Sequence, residues 1–118
     1  MARYGTVLVV EDSPLIAMDA EETLRSSGFR RVLATGSQHA ALSIASAEAL
    51  DFAFVAAKTF DGEGARVAAR LAERRIPFAF SCAFADGSDL PVTWLGAPYL
   101  VRPFSEKDLA ALFERLGF

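Results

Sequence analysis

Two adjacent carboxylates, Glu11 and Asp12, directly follow the apolar run at residues 6–10 and are the first place in the chain where chemistry could be done. Such a pair supplies the hard oxygen ligands that Mg²⁺ prefers; its plainer reading is a solvated acidic pair favoured by the positive end of the helix that follows. The next reactive groups are Ser81 and Cys82, at the end of a run that begins at Pro77, and Arg102, which opens Arg102-Pro103-Phe104 after the run at residues 99–101. A lone thiol is a nucleophile or redox sensor when its pKa is lowered, and Arg102 could lower that of Cys82. No base accompanies it. The single histidine, His39, falls in a helical stretch away from these run ends, so Cys82 is expected to be an inert small residue and His39 a surface one.

The elements that must position these groups follow from the hydrophobic pattern. Residues 6–10 form a continuous, β-branched apolar run, which suits a strand buried on both faces of a parallel sheet. Ser13 supplies an N-cap, Pro14 fits the first helical position and Gly28 stops the chain, which predicts a helix over residues 14–27. A second strand is expected at 31–35, a helix capped by Ser37 to about residue 49, and a third strand at 52–57. Asp61-Gly62-Glu63-Gly64 is a turn signal, followed by a helix at 65–74, a fourth strand at 77–81 and a fifth at 99–101. Ser105 caps a last helix that ends at Gly117. Gly87, Pro91, Gly96 and Pro98 punctuate the stretch where a fourth helix belongs, so that helix is expected to be short or irregular. Strands alternating with helices imply right-handed crossovers and a doubly wound α/β fold of the flavodoxin-like type, strand order 2-1-3-4-5, with helices on both faces.

Composition bounds the function. With 118 residues there is room for one domain, expected to span residues 1–118 without an output domain. A hydrophobic content of 53% and a mean hydropathy of +0.28 exclude a disordered chain. A net charge of −3 and the absence of a basic tract argue against direct nucleic-acid binding. One cysteine and one histidine make neither an internal disulfide nor a recognisable metal site, and a reducing compartment fits best. No signal-peptide layout opens the chain and no apolar stretch approaches the roughly 20 residues that cross a bilayer, so no membrane role and a cytoplasmic location are expected.

In open α/β sheets the functional crevice lies outside the carboxyl ends of the strands, where Glu11, Asp12, Ala56, Ser81, Cys82 and Arg102 fall. Residues 7–16, 51–56 and 99–104 (Val7-Leu8-Val9-Val10-Glu11-Asp12-Ser13-Pro14-Leu15-Ile16, Asp51-Phe52-Ala53-Phe54-Val55-Ala56 and Tyr99-Leu100-Val101-Arg102-Pro103-Phe104) resemble the first, third and last strands of the receiver domains of two-component response regulators. The resemblance covers essentially the whole chain and is fullest to alphaproteobacterial receivers that stand alone or beside histidine kinases. It implies an acidic pair for Mg²⁺, an aspartate that takes a phosphoryl group, and a Ser/Thr and a Lys that respond to it. Phosphoryl transfer to a carboxylate needs a divalent ion, an in-line nucleophile and donors to the equatorial oxygens.

The chain departs from that pattern at three positions. Five residues on from Asp51, where the resemblance places the phosphoacceptor, stands Ala56, whose methyl group cannot be phosphorylated. Neither Asp51, before the strand, nor Asp61, in the following loop, restores an acceptor. Cys82 takes the Ser/Thr position, and Arg102 the Lys position, exchanging a compact ammonium for a planar fork. Glu11 and Asp12 would then be at most a weak Mg²⁺ site, and no other cofactor is expected. Arg102 could pair with Glu11 or Asp12 and lock the crevice, or it could be an exposed arginine at a strand end.

Tyr99 matches an aromatic whose rotamer reports activation in that family, and here it could be fixed. The apolar stripe of the last helix is expected in the core, although that helix and the neighbouring strand edge are the family's usual docking face. Trp94, Tyr99 and Phe104 are candidate partner contacts. The expected function is an atypical receiver in phosphorelay signalling that takes no phosphate at the usual position and is not an enzyme. It would work by contact with a histidine kinase, a phosphotransferase, another receiver or a second copy of itself. Two rivals are a residual phosphoacceptor at another carboxylate and a small-molecule sensor using the vacant crevice. No glycine-rich loop follows the first strand to support a nucleotide site.

Overall fold

The structure, a computed structural model, describes residues 3–58 and 64–118. Asp61, Gly62 and Glu63 of the expected turn lie outside the described residues. Five strands, β1 (Tyr4–Val10), β2 (Phe29–Thr35), β3 (Phe52–Ala56), β4 (Phe78–Cys82) and β5 (Tyr99–Val101), form one sheet in the order β2-β1-β3-β4-β5. All four ladders are parallel. Every residue of β3 is buried, as a continuous apolar run covered on both faces requires.

Helices α1 (Pro14–Ser26), α2 (Gln38–Ala47), α3 (Gly64–Glu73) and α4 (Glu106–Leu116) cover the sheet, and α1, α2 and α4 start where the sequence offers caps. The Ser13 hydroxyl accepts the Ile16 N–H at 3.5 Å, Ser37 accepts that of Ala40 at 3.2 Å, and Ser105 with Asp108 completes a reciprocal capping box. Helix α2 ends two residues earlier than expected, because the Arg74 guanidinium takes the carbonyls of Ala45 and Glu48 at 2.9 and 2.8 Å and holds that end against α3. Strand β4 is displaced by one residue from the expected span. Pro77 has no N–H for the ladder, while the Cys82 carbonyl accepts the Arg102 N–H at 2.9 Å and extends the strand by one position. In place of a fourth helix between β4 and β5 there is a single 3₁₀ turn, Val92–Trp94.

The sheet divides two apolar layers. One packs Val7, Val9, Phe52 and Phe54 against Leu24 of α1 and Leu109, Leu112 and Phe113 of α4. The other packs Leu8, Val55 and Phe80 against Ala41 and Ala45 of α2 and Val67, Ala68 and Leu71 of α3. The crossovers leave the carboxyl ends of all five strands at one pole of the sheet.

Candidate functional site

At that pole, β1 runs out into Glu11, which is 4% exposed and whose N–H donates to the Thr35 carbonyl at 3.0 Å. Both of its carboxylate oxygens are engaged. The Arg102 guanidinium donates to Oε1 at 2.6 Å, and the Ser13 N–H donates to Oε2 at 3.0 Å. The Arg102 side chain is 15% exposed and that of Glu11 3%, so this is a sheltered ion pair and not a surface contact. Of the two roles open to Arg102, pairing with the acidic residues is the one adopted. Such a pair is worth little over an apolar substitute, but losing one partner strands the other charge in a poorly solvated place.

Arg102 is held from behind by the backbone bond to Cys82 and is followed by a cis Arg102–Pro103 peptide. Phe104, expected among the partner contacts, is buried instead. It stacks on Phe54 with ring centroids 5.1 Å apart, because an apolar ring at the start of α4 gains more from the core than from solvent.

Ala56 ends β3 fully buried and lies opposite Ser81 of β4. The cavity lined by Val9, Glu11, Phe54, Ser81, Arg102 and Phe104 has a volume of about 10 Å³, room for about one water molecule. That cavity is too small for a metabolite or nucleotide.

The Mg²⁺ that the acidic pair suggested does not fit the donor set either. Glu11 has both oxygens committed, one of them to a cation, and the third position that could supply a carboxylate is a methyl group. Among the described residues no group of three or more His, Cys, Asp or Glu side chains is placed to hold a metal ion. Asp12 is half-buried beside Glu11.

Cys82 is fully buried, and its thiol is pushed up to about 12 from an ordinary 9.0. Burial is the main cause, the nearby Asp89 carboxylate adds to the rise, and Arg102 pulls the other way. Arg102 therefore does not activate the thiol. Asp89, 5% exposed, accepts the Ala83 N–H at 2.8 Å. Sequence reasoning missed it: an acid between Ser88 and Leu90 in a Gly- and Pro-rich stretch reads as a solvated loop residue.

The Tyr99 hydroxyl donates to the Ala85 carbonyl at 2.8 Å, and its ring lies over Gly87, where a Cβ would come within 2.9 Å of it. Trp94 is half-buried and meets Phe78 edge-on with ring centroids 5.2 Å apart. The apolar stripe of α4 faces the core, as expected. Large apolar side chains are left in solvent on the first turns of α1, with Leu15 at 78% and Met18 at 64% exposure, and Ile16 of the same turns borders the cavity beside Arg102.

No family model matches the chain. It is 34% identical over 112 residues to the transcriptional regulatory protein PdtaR of Mycobacterium tuberculosis, an alignment that takes in 92% of this chain and 54% of that protein. The chain thus spans about half the length of the curated relatives it matches. Among solved structures it resembles SdrG from Sphingomonas melonis Fr1, with 30% identity, a TM-score of 0.83 and full coverage of both chains. A CheY-like response regulator receiver domain from Methylobacillus flagellatus shares the fold, with a TM-score of 0.77, 23% identity, and 96% of this chain and 98% of that one covered. No helix among the described residues is long and apolar enough to cross a membrane.

Proposed function

The chain belongs to the response-regulator receiver family of two-component signalling, and from that premise we propose that it is a receiver without a phosphorylation switch, acting through contacts with other signalling proteins. The observation that carries this reading is the pairing of Arg102 with Glu11 at 2.6 Å beside a strand, β3, that ends in the buried methyl group of Ala56. A phosphorylatable crevice needs an acceptor, a bound divalent ion and a cationic group free to meet the phosphoryl oxygens. Here the acceptor is replaced, the carboxylate that would bind metal is neutralised from within, and the cation is already used.

A receiver arranged in this way works as one unit, and its output passes by contact, without catalysis. Its partners are a histidine kinase, a phosphotransferase or another receiver, with a second copy of itself as a further partner. The exposed Leu15 and Met18 on α1, in the same turns as Ile16, are the contact surface of choice, since adjoining large apolar side chains in solvent mark interaction sites. Tyr99, tied to Ala85, holds one rotamer in this reading. In this reading the chain works in the cytoplasm.

The test is the intact mass of the protein after incubation with Mg²⁺ and a small-molecule phosphodonor, beside the Ala56→Asp variant. The reading expects no added phosphate on the natural chain. Stoichiometric phosphate on it overturns the reading, and mapping the modified residue then identifies another carboxylate as the acceptor. Phosphate on Ala56→Asp alone would show a scaffold from which only the switch has been removed.

A further inference from the structure

A second buried carboxylate lies at the same pole and takes no part in the Glu11–Arg102 pair. Asp89 is 5% exposed; its Oδ2 accepts the Ala83 N–H at 2.8 Å, and its Oδ1 has no hydrogen-bond partner among the described residues. Ala83 is the first residue past β4, so its N–H is a backbone donor at the carboxyl end of a strand, where open α/β sheets receive ligands. Backbone donors presented in a turn of this kind are places where anions settle. Asp89 accepts from the Ala83 N–H and the Arg102 N–H donates to the carbonyl of the adjoining Cys82, which brings the two segments to one locality.

The chain between Ala83 and Asp89 is wound so as to bring that carboxylate back. Gly87 donates to the Phe84 carbonyl at 3.1 Å and Leu90 to that of Gly87 at 3.1 Å, and the Ser88 N–H donates to the Asp86 carboxylate at 2.9 Å. Leu90, next in sequence, is buried in the layer beneath α2 and α3 and anchors Asp89 from the core side. From the other side the Tyr99 hydroxyl holds the Ala85 carbonyl at 2.8 Å. A buried charge with one oxygen unpartnered is costly, and it persists only where the surrounding structure holds it in place.

We propose that Asp89 is an internal anion: its carboxylate occupies the Ala83 N–H that a solution anion would otherwise take, and so sets the segment after β4 in one conformation without an external signal. The proposal deepens the functional reading, resting on the view that phosphate does not set this segment. With Arg102 on Glu11, the pole then carries its own cation and its own anion.

The experiment is residue-resolved amide hydrogen exchange on the natural chain, Asp89→Ala and Asp89→Asn, with no phosphodonor present, so that it is independent of whether the chain accepts phosphate. In Asp89→Ala the Ala83 amide should exchange about tenfold faster or more, with Val9 and Phe54 in the core unchanged. Added acetate or inorganic phosphate should slow Ala83 again in that variant and leave the natural chain unaffected. An unchanged rate at Ala83, or a loss of protection that neither anion restores, overturns the proposal. Should Asp89→Ala fail to fold, the comparison is made on Asp89→Asn, where faster exchange at Ala83 supports the proposal and an unchanged rate overturns it.

Discussion

Arg102 meets Glu11 at 2.6 Å across 91 positions of sequence, joining the ends of β5 and β1, strands that β4 and β3 separate in the sheet. The contact therefore spans the ends of the two intervening strands, one of which stops at Ala56. Truncating Arg102→Ala leaves Glu11 buried and without its cation, and the folded state should lose about 3 kcal/mol, read from urea denaturation. The double variant Glu11→Leu with Arg102→Met removes both charges together and should return to within about 1 kcal/mol of the natural chain. If the double variant falls as far as the sum of the singles, the two residues do not act as a pair.

Magnesium should not stabilise the natural chain. The cation binds only by displacing Arg102 from Glu11, so thermal melting with and without millimolar Mg²⁺ should coincide. Ala56→Asp combined with Arg102→Lys adds a third carboxylate and removes the fork. That variant should melt higher in Mg²⁺, approaching about 2.7 kcal/mol of stabilisation at a hundredfold excess over its Kd. A melting shift in the natural chain would mean that Glu11 exchanges its partner readily.

Much of this arrangement could be read from residue order, because local rules and tertiary packing agree. Ser13-Pro14, Ser37 and Ser105 mark helix starts by their own side-chain chemistry, and the apolar run in β3 announces a strand covered on both sides. Glu11 and Arg102 could be placed at one pole once the strands were counted, since parallel crossovers put all carboxyl ends together. Asp89 could not be found that way. Its burial depends on how two turns after β4 fold back, and nothing in its neighbours separates that outcome from a solvated loop. The inward turn of Phe104 is hidden for a related reason: whether an aromatic after a strand turns inward depends on what the facing strand offers, here Phe54.

Cys82 should resist thiol reagents at neutral and mildly alkaline pH. Its folded pKa, near 12, lies above its ordinary 9.0, so the protonated thiol is the form that the fold favours. The stability this contributes is fully present below about pH 9 and is lost as pH rises towards 12, because the unfolded chain ionises first. Labelling with a colourless disulfide reagent that releases a chromophore should therefore follow global unfolding, with a rate that rises in urea. Rapid labelling of the folded chain at pH 8 would mean an exposed, activated thiol.

Two left-handed positions should respond to substitution in opposite directions. Arg75, with φ at 59°, ends α3: its N–H donates to the Ala72 carbonyl at 3.0 Å and that of Ile76 to Leu71 at 2.9 Å, while Ile76 and Leu71 share the same apolar layer. These are the bonds of a helix end built for glycine, yet a side chain with a Cβ sits there. Arg75→Gly should raise stability by about 1 kcal/mol by relieving the left-handed backbone. Gly87, with φ at 69°, has no such margin, since a Cβ would meet the Tyr99 ring at 2.9 Å as well as forcing an L side chain into that conformation. Gly87→Ala should cost about 1 to 2 kcal/mol and free the Tyr99 hydroxyl from Ala85, visible as faster tyrosine ring and hydroxyl exchange by NMR. Stability gained at Gly87 would show that Tyr99 is not held against that turn in solution.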